Sequence, residues 1–85
     1  MSDSKLESRF QKYSEIAKQL ENVSNENKLY LYSNYKQSLF GDNTNEKPSI
    51  FNRVEMEKWK AWNTLIGNSK EESMKNYINK VKELQ

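Results

Sequence analysis

Apolar residues recur in this chain at intervals of three and four in four separate stretches, and nowhere in a run of alternate positions. That spacing selects amphipathic helices and excludes half-buried strands. Leu6, Phe10, Tyr13, Ile16, Ala17 and Leu20 make the first stripe. Leu29, Tyr32, Tyr35 and Leu39 make the second. Val54, Ala61, Trp62 and Leu65 make the third, with Trp59 and Ile66 at its edge. Met74, Tyr77, Ile78, Val81 and Leu84 make the fourth.

The punctuation between stripes agrees. A first helix is predicted from Ser4, with Glu7 three residues on as a capping box. Asn22 to Asn27 is a polar break, and Ser24 or Asn25 caps a second helix that runs to about Phe40 and ends at Gly41. Gly41 to Asn52 follows as a loop, since Gly41-Asp42-Asn43-Thr44-Asn45 is turn-rich and Pro48 cannot sit in a helix interior. So long a connection is either ordered for function or an irregular crossover. A third helix covers about Val54 to Ile66 and stops at Gly67. Ser69 and Glu72 form a second capping box for the fourth. Four helices with one long connection read as a small all-α bundle.

The 85 residues are expected to form one domain, 1–85. At 34% hydrophobic and 31% charged the chain is polar for a folded domain, but its ten aromatic residues and their regular spacing set it apart from a disordered segment. A core this small leaves no room for a wide internal cavity, so a surface groove is the expected site. There is no cysteine and no histidine, which removes disulfides, thiol chemistry, the commonest general base and the usual zinc ligands. Two glycines exclude a glycine-rich phosphate loop. The carboxylate pairs Glu55/Glu57 and Glu71/Glu72 read as first-turn partners of helix dipoles. No enzyme and no cofactor or metal is expected. A net charge of +2 is too mild for a nucleic-acid face. Met1-Ser2-Asp3 opens without a signal core and no run is long enough to span a membrane, so the expected compartment is the cytosol. With no sustained heptad seam, the domain is expected to be a monomer.

Two lysines break the pattern. Lys36 lies in the apolar arc of the second helix, between Tyr32 and Leu39, and Lys58 lies in that of the third. A charge in such a place snorkels out, finds a partner or meets a ligand. If both faces turn to one groove, two ammonium groups approach an apolar surface ringed by Tyr32, Tyr35 and Tyr77. Such a surface suits an amphipathic anion with phosphates, an aromatic base and an apolar tail. Two snorkelling lysines beside an aromatic core are the ordinary alternative.

Several motifs carry a resemblance. Tyr32-Ser33-Asn34-Tyr35-Lys36-Gln37, Gly41-Asp42, Lys47-Pro48, Lys58-Trp59-Lys60-Ala61-Trp62-Asn63, Ser69-Lys70-Glu71 and Tyr77-Ile78 closely resemble the acyl-CoA-binding protein family in order and spacing, over about Phe10 to Leu84. The resemblance implies an up-down-down-up four-helix bundle that holds medium- and long-chain acyl-CoA esters non-covalently, buffers them and hands them to lipid-metabolising enzymes through transient contacts, without stable membrane insertion. It implies ligand contacts at Lys18, Tyr32, Ser33, Asn34, Tyr35, Lys36, Lys58 and Tyr77, with Lys58 at the 3′-phosphate end. The chain departs from the common pattern at Ser38-Leu39-Phe40, at Lys47, at Val54 in place of a lysine, and at Met56-Glu57 in place of a more basic pair. Those changes bear on headgroup affinity and acyl length. A helical protein-interaction module and a single-strand nucleic-acid binder are the alternatives from other classes.

Overall fold

The structure, a computed structural model, describes residues 4–85; Met1, Ser2 and Asp3, read above as a polar start, lie outside them. Among the described residues there are four helices and no strand: α1 (Ser4–Ala17), α2 (Asn25–Phe40), α3 (Arg53–Asn63) and α4 (Lys70–Leu84). Ser4 is already helical in α1. Ser24, of the two candidates, caps α2, its side chain accepting from Asn27 N at 3.1 Å. Ser69 caps α4 in the same way through Glu72 N at 3.0 Å.

The third helix is shorter than its apolar pattern and begins one residue sooner. Asn52 caps it by accepting from Glu55 N. Past Asn63 the chain tightens into three-residue turns, with Leu65 N bonded to Trp62 O at 2.9 Å and Asn68 N to Leu65 O at 2.9 Å. Leu65 and Ile66 therefore lie beyond the helix.

Helix α4 packs on both α1 and α2, while α3 packs on α2 alone. The spatial order is thus α1, α4, α2, α3, in a slab measuring 40 × 34 × 15 Å. The core is built from the first, second and fourth helices: Leu6, Phe10, Leu31, Met74, Tyr77, Ile78 and Val81, flanked by Tyr13, Ile16, Ala17, Leu20 and Leu84. The α1 and α4 stripes read from the sequence are this core. Met56 and Trp62 are the buried residues of α3, whereas Val54, placed on the apolar face by spacing, is 65% exposed.

Helix α2 departs furthest from its pattern. Its buried face is Leu31, Ser33, Asn34, Gln37 and Ser38. These polar side chains are satisfied largely by their own helix. Asn34 Nδ2 and Ser33 Oγ both donate to Tyr30 O at 3.0 Å, and Ser38 Oγ donates to Asn34 O at 2.6 Å. Asn76 Nδ2 reaches Asn34 Oδ1 across the α2–α4 interface at 3.3 Å. Burial of polar groups is tolerable because each is paired. The apolar arc of Leu29, Tyr32, Tyr35 and Leu39 is left half-buried or exposed.

Gln37 is the hub of the α2 C-terminus and is completely buried. Its Nε2 donates to Asp42 Oδ1 at 2.8 Å and to Asn68 O at 3.0 Å, and its Oε1 accepts from Trp62 Nε1 at 3.1 Å. Trp62 Nε1 also donates to Gly41 O, and Gly67 N to Asp42 Oδ1, both at 2.9 Å. Gly41 (φ 77°) and Gly67 (φ 97°) lie where L side chains are strained, so the two turns that close this knot need glycine. The Asp42 carboxyl is held below its usual range by the Gly67 amide first and the Gln37 amide second. The long connection is pinned to α3, with Trp59 Nε1 donating to Asn45 O at 2.9 Å and Asn43 Nδ2 to Trp59 O at 3.4 Å.

Candidate functional site

The exposed arc of α2 stands between two grooves. The first, of about 500 Å³, lies between α1 and α2 over α4, and includes Ser14, Lys18, Lys28, Tyr32, Tyr35 and Tyr77 in its lining. The second, of about 450 Å³, lies between α2 and α3 and is walled by Leu29 and Val54 among Lys28, Arg53, Glu57 and Lys58. Both volumes suit a small molecule. Lys28 lines both grooves.

Tyr32 is the hinge between them. Lys58 Nζ sits 5.4 Å and Lys36 Nζ 5.8 Å from the centroid of its ring. Lys36 is further enclosed by Phe40 at 5.0 Å and Trp62 at 5.8 Å. Cation–π contacts at this range orient an ammonium without neutralising it. The carboxylate of Glu55, 3.8 Å from Lys58 Nζ, is a partly exposed partner at the limit of ion-pair range. Lys58 lines the second groove, and Lys36 lines a separate depression with Phe40, Asp42 and Trp62, so the two cations meet at the Tyr32 ring from different grooves.

Three phenols, Tyr32, Tyr35 and Tyr77, line the first groove. Phe10, Tyr35 and Tyr77 form an aromatic triangle, with centroids 5.6 Å (Phe10–Tyr35), 5.1 Å (Phe10–Tyr77) and 5.9 Å (Tyr35–Tyr77) apart. Burial, then the neighbouring Tyr35, pushes the Tyr77 hydroxyl up to about 12. Burial, then the Glu55 carboxylate, raises that of Tyr32. Both remain neutral phenols across the physiological range, and a neutral phenol donates a hydrogen bond to an anion. Lys18 lies just past α1 at the rim of the first groove, paired with Glu15 at 3.2 Å on the exposed surface.

The structure thus places Lys18, Tyr32, Tyr35 and Tyr77 on the first groove and Lys58 on the second, while Lys36 lines a separate depression and reaches the others only through the Tyr32 ring. Ser33 and Asn34 are placed elsewhere. Both are buried and bonded to Tyr30 O on the α4 side of α2, behind the tyrosine face. Sequence reasoning missed Lys28 and Ser14. Spacing carried the signal, since Lys28 precedes Tyr32 by one helical turn and Ser14 precedes Lys18 by one.

The family model described as Acyl CoA binding protein matches residues 7–81. The chain belongs to the acyl-CoA-binding protein family. It is 50% identical over 80 residues to acyl-CoA-binding domain-containing protein 1 of Oryza sativa subsp. japonica, covering 93% of this chain and 88% of that one. It is 46% identical over 80 residues to the acyl-CoA-binding protein of Ricinus communis, covering 93% and 89%. The crystal structure of Oryza sativa acyl-CoA-binding protein 2 superposes with a TM-score of 0.90 at 48% identity, covering 93% of this chain and 89% of that one. That of the Moniliophthora perniciosa protein gives 0.87 at 29% identity, covering 99% and 80%. The all-α fold is therefore that of acyl-CoA-binding proteins. Within it the family-like motifs divide by role. Gln37, Gly41, Asp42 and Trp62 knot the helix ends together, and Lys36 and Lys58 make cation–π contacts with Tyr32.

Proposed function

We propose that this single-domain protein binds medium- and long-chain acyl-CoA esters non-covalently, and buffers and carries them between lipid-metabolising enzymes. The observation that carries the reading is the pair of ammonium groups at the Tyr32 ring, Lys58 at 5.4 Å and Lys36 at 5.8 Å, beside a groove lined by phenols and a groove walled by Leu29 and Val54. The 3′-phosphate lies between Lys36 and Lys58 and accepts from the Tyr32 hydroxyl. The base occupies the first groove beside Tyr35 and Tyr77, with Lys18 and Lys28 toward the remaining phosphates. The acyl chain starts along Leu29 and Val54. Ser33 and Asn34 support the tyrosine face from behind.

The energetics divide accordingly. Charge-assisted contacts orient the headgroup. Each buried methylene adds ~0.8 kcal/mol, up to ~10 kcal/mol for a long chain before the costs of association. No bond is made or broken in this reading, and the protein acts as a monomeric cytoplasmic carrier with transient enzyme contacts. No described helix is long and apolar enough to cross a membrane. Calorimetric titration with free CoA, a free fatty acid, an oligonucleotide and acyl-CoAs of rising length tests it. Affinity should rise with acyl length and far exceed that for CoA or fatty acid alone, with no binding of the oligonucleotide. Equal affinity for CoA and its long-chain ester would remove the acyl groove.

A further inference from the structure

The connection between α2 and α3 ends in a turn that the ligand site leaves unused. Asn52 N donates to Ser49 O at 3.0 Å and Phe51 N to Ser49 Oγ at 3.2 Å, closing Ser49-Ile50-Phe51-Asn52. The central positions of such turns ordinarily hold proline, glycine or small polar residues. Here they hold Ile50, 74% exposed, and Phe51, 89% exposed. The turn is held out by its surroundings. Pro48 restricts the chain before it, Asn52 caps α3 after it, and Asn43 and Asn45 fix the preceding loop to Trp59. Two large apolar side chains are thus presented to solvent at the tip of a braced loop.

Charge surrounds this tip. Beside Ile50, a depression of about 240 Å³ is lined by Lys47, Arg53 and Lys60, with Glu57 as its single carboxylate. The other acidic group on this turn of α3, Glu55, faces Lys58. An exposed apolar wedge set among cations is complementary to the boundary between lipid phosphates and acyl chains. The tip also adjoins the α2–α3 groove, because Arg53 and Glu57 line both depressions and Val54 lies between them in the chain.

We propose that the Ile50–Phe51 turn docks the protein on anionic bilayer surfaces, with both side chains in the headgroup boundary and Lys47, Arg53 and Lys60 on lipid phosphates. Docking in this pose sets the mouth of the α2–α3 groove against the membrane. That last consequence, loading of an acyl chain directly from the bilayer, rests on the acyl-CoA reading, whereas the docking itself does not.

Co-sedimentation with phosphatidylcholine vesicles, with and without one quarter phosphatidylserine, tests the docking at low salt. The protein should bind the anionic vesicles and bind the neutral ones much more weakly. Replacing Ile50 and Phe51 together by serine should weaken binding to the anionic vesicles by at least about tenfold, since each side chain forfeits much of its apolar burial. Lys47→Gln and Lys60→Gln should each cost about fivefold there and little on neutral vesicles. The serine pair should keep the wild-type circular dichroism and the wild-type affinity for soluble acyl-CoA, because neither side chain lines either of the two grooves assigned to the ligand. Absence of vesicle binding, or binding unchanged by both the serine pair and the glutamine variants, overturns the proposal. A concentration-dependent dimer abolished by the serine pair, without vesicle binding, overturns it in favour of a second copy covering the tip. Vesicle docking that survives a failed acyl-CoA titration would leave docking standing and remove the ligand assignment instead.

Discussion

Gln37→Met asks how much of the fold rests on one amide. Methionine matches the length of glutamine and keeps the site filled, so cavity formation is minor. Three hydrogen bonds disappear: to Asp42 Oδ1 at 2.8 Å, to Asn68 O at 3.0 Å and from Trp62 Nε1 at 3.1 Å. All three belong to an amide that is completely buried, and a bond of that kind contributes ~1 kcal/mol net. Neither main partner is stranded, since Trp62 keeps Gly41 O and Asp42 keeps Gly67 N. The expected loss is about 3 kcal/mol at pH 7, read by urea denaturation as a midpoint lower by roughly 1–3 M with an unchanged slope. The pH dependence is a sharper signature. The Asp42 carboxyl is depressed, so its contribution is present above its unfolded value and fades as pH falls through its folded one. The difference between wild type and variant should therefore shrink below about pH 4, where the unfolded-state carboxyl begins to protonate. A loss under ~1 kcal/mol, or a loss that stays constant down to pH 2, would refute the assignment of Gln37 as the hub.

Other consequences are read by similar means. Lys36→Met and Lys58→Met should each weaken acyl-CoA binding by ~1.5–3 kcal/mol while apo stability moves little, and Tyr32→Phe should cost less than either because its ring remains; stability that moves while affinity does not would make the lysines structural. Tyr77 is held neutral by the fold, so its contribution is complete below about pH 10 and is lost as pH rises toward 12. Denaturation midpoints between pH 9 and 12 should fall more steeply for wild type than for Tyr77→Phe, by up to ~2 kcal/mol, and parallel curves would contradict this. The Ser73 hydroxyl is fully buried without a hydrogen-bond partner among the described residues, so Ser73→Ala should be neutral or stabilising by up to ~1 kcal/mol in the same denaturation assay.

The helices of this fold were legible because their caps and stripes agree. Ser24, Ser69 and Gly41 stand where the boundaries fall, and the α1 and α4 stripes are the core. The site was legible in part. Tyr32, Lys36 and Lys58 meet because the conflict of a lysine in an apolar arc is resolved at the surface and not inside. The role of Ser33, Asn34 and Gln37 was not legible from periodicity, which ranks a side chain by polarity and cannot see that Ser33 and Asn34 have a carbonyl waiting one turn back, or that Gln37 meets Asp42, Asn68 and Trp62 from outside its helix. The end of α3 was overrun for a related reason. Leu65 and Ile66 keep helical spacing through a series of three-residue turns, where spacing alone cannot separate one helix type from the other.

The inversion of α2 has a thermodynamic consequence. A helix that puts serine, asparagine and glutamine inward beside Leu31 and keeps Leu29, Leu39, Tyr32 and Tyr35 outward leaves apolar area in water that an ordinary helix would bury on folding. Tyr35 is 37% exposed, Val54 across the second groove is 65% exposed, and Leu29 and Tyr32 are half-buried beside them. If an acyl chain covers that area, binding completes a burial that folding left undone. Its mark is a negative heat-capacity change, since burial of apolar surface lowers the heat capacity whatever the sign of the enthalpy. Titration of acyl-CoAs at several temperatures should give a heat-capacity change that grows more negative with each added methylene until the chain outruns Leu29 and Val54, and then levels off. Free CoA, confined to the lysine and tyrosine junction, should give a small one. A long-chain ester whose heat-capacity change matched that of free CoA would mean the chain stays in solvent, and the outward apolar arc of α2 would need another occupant.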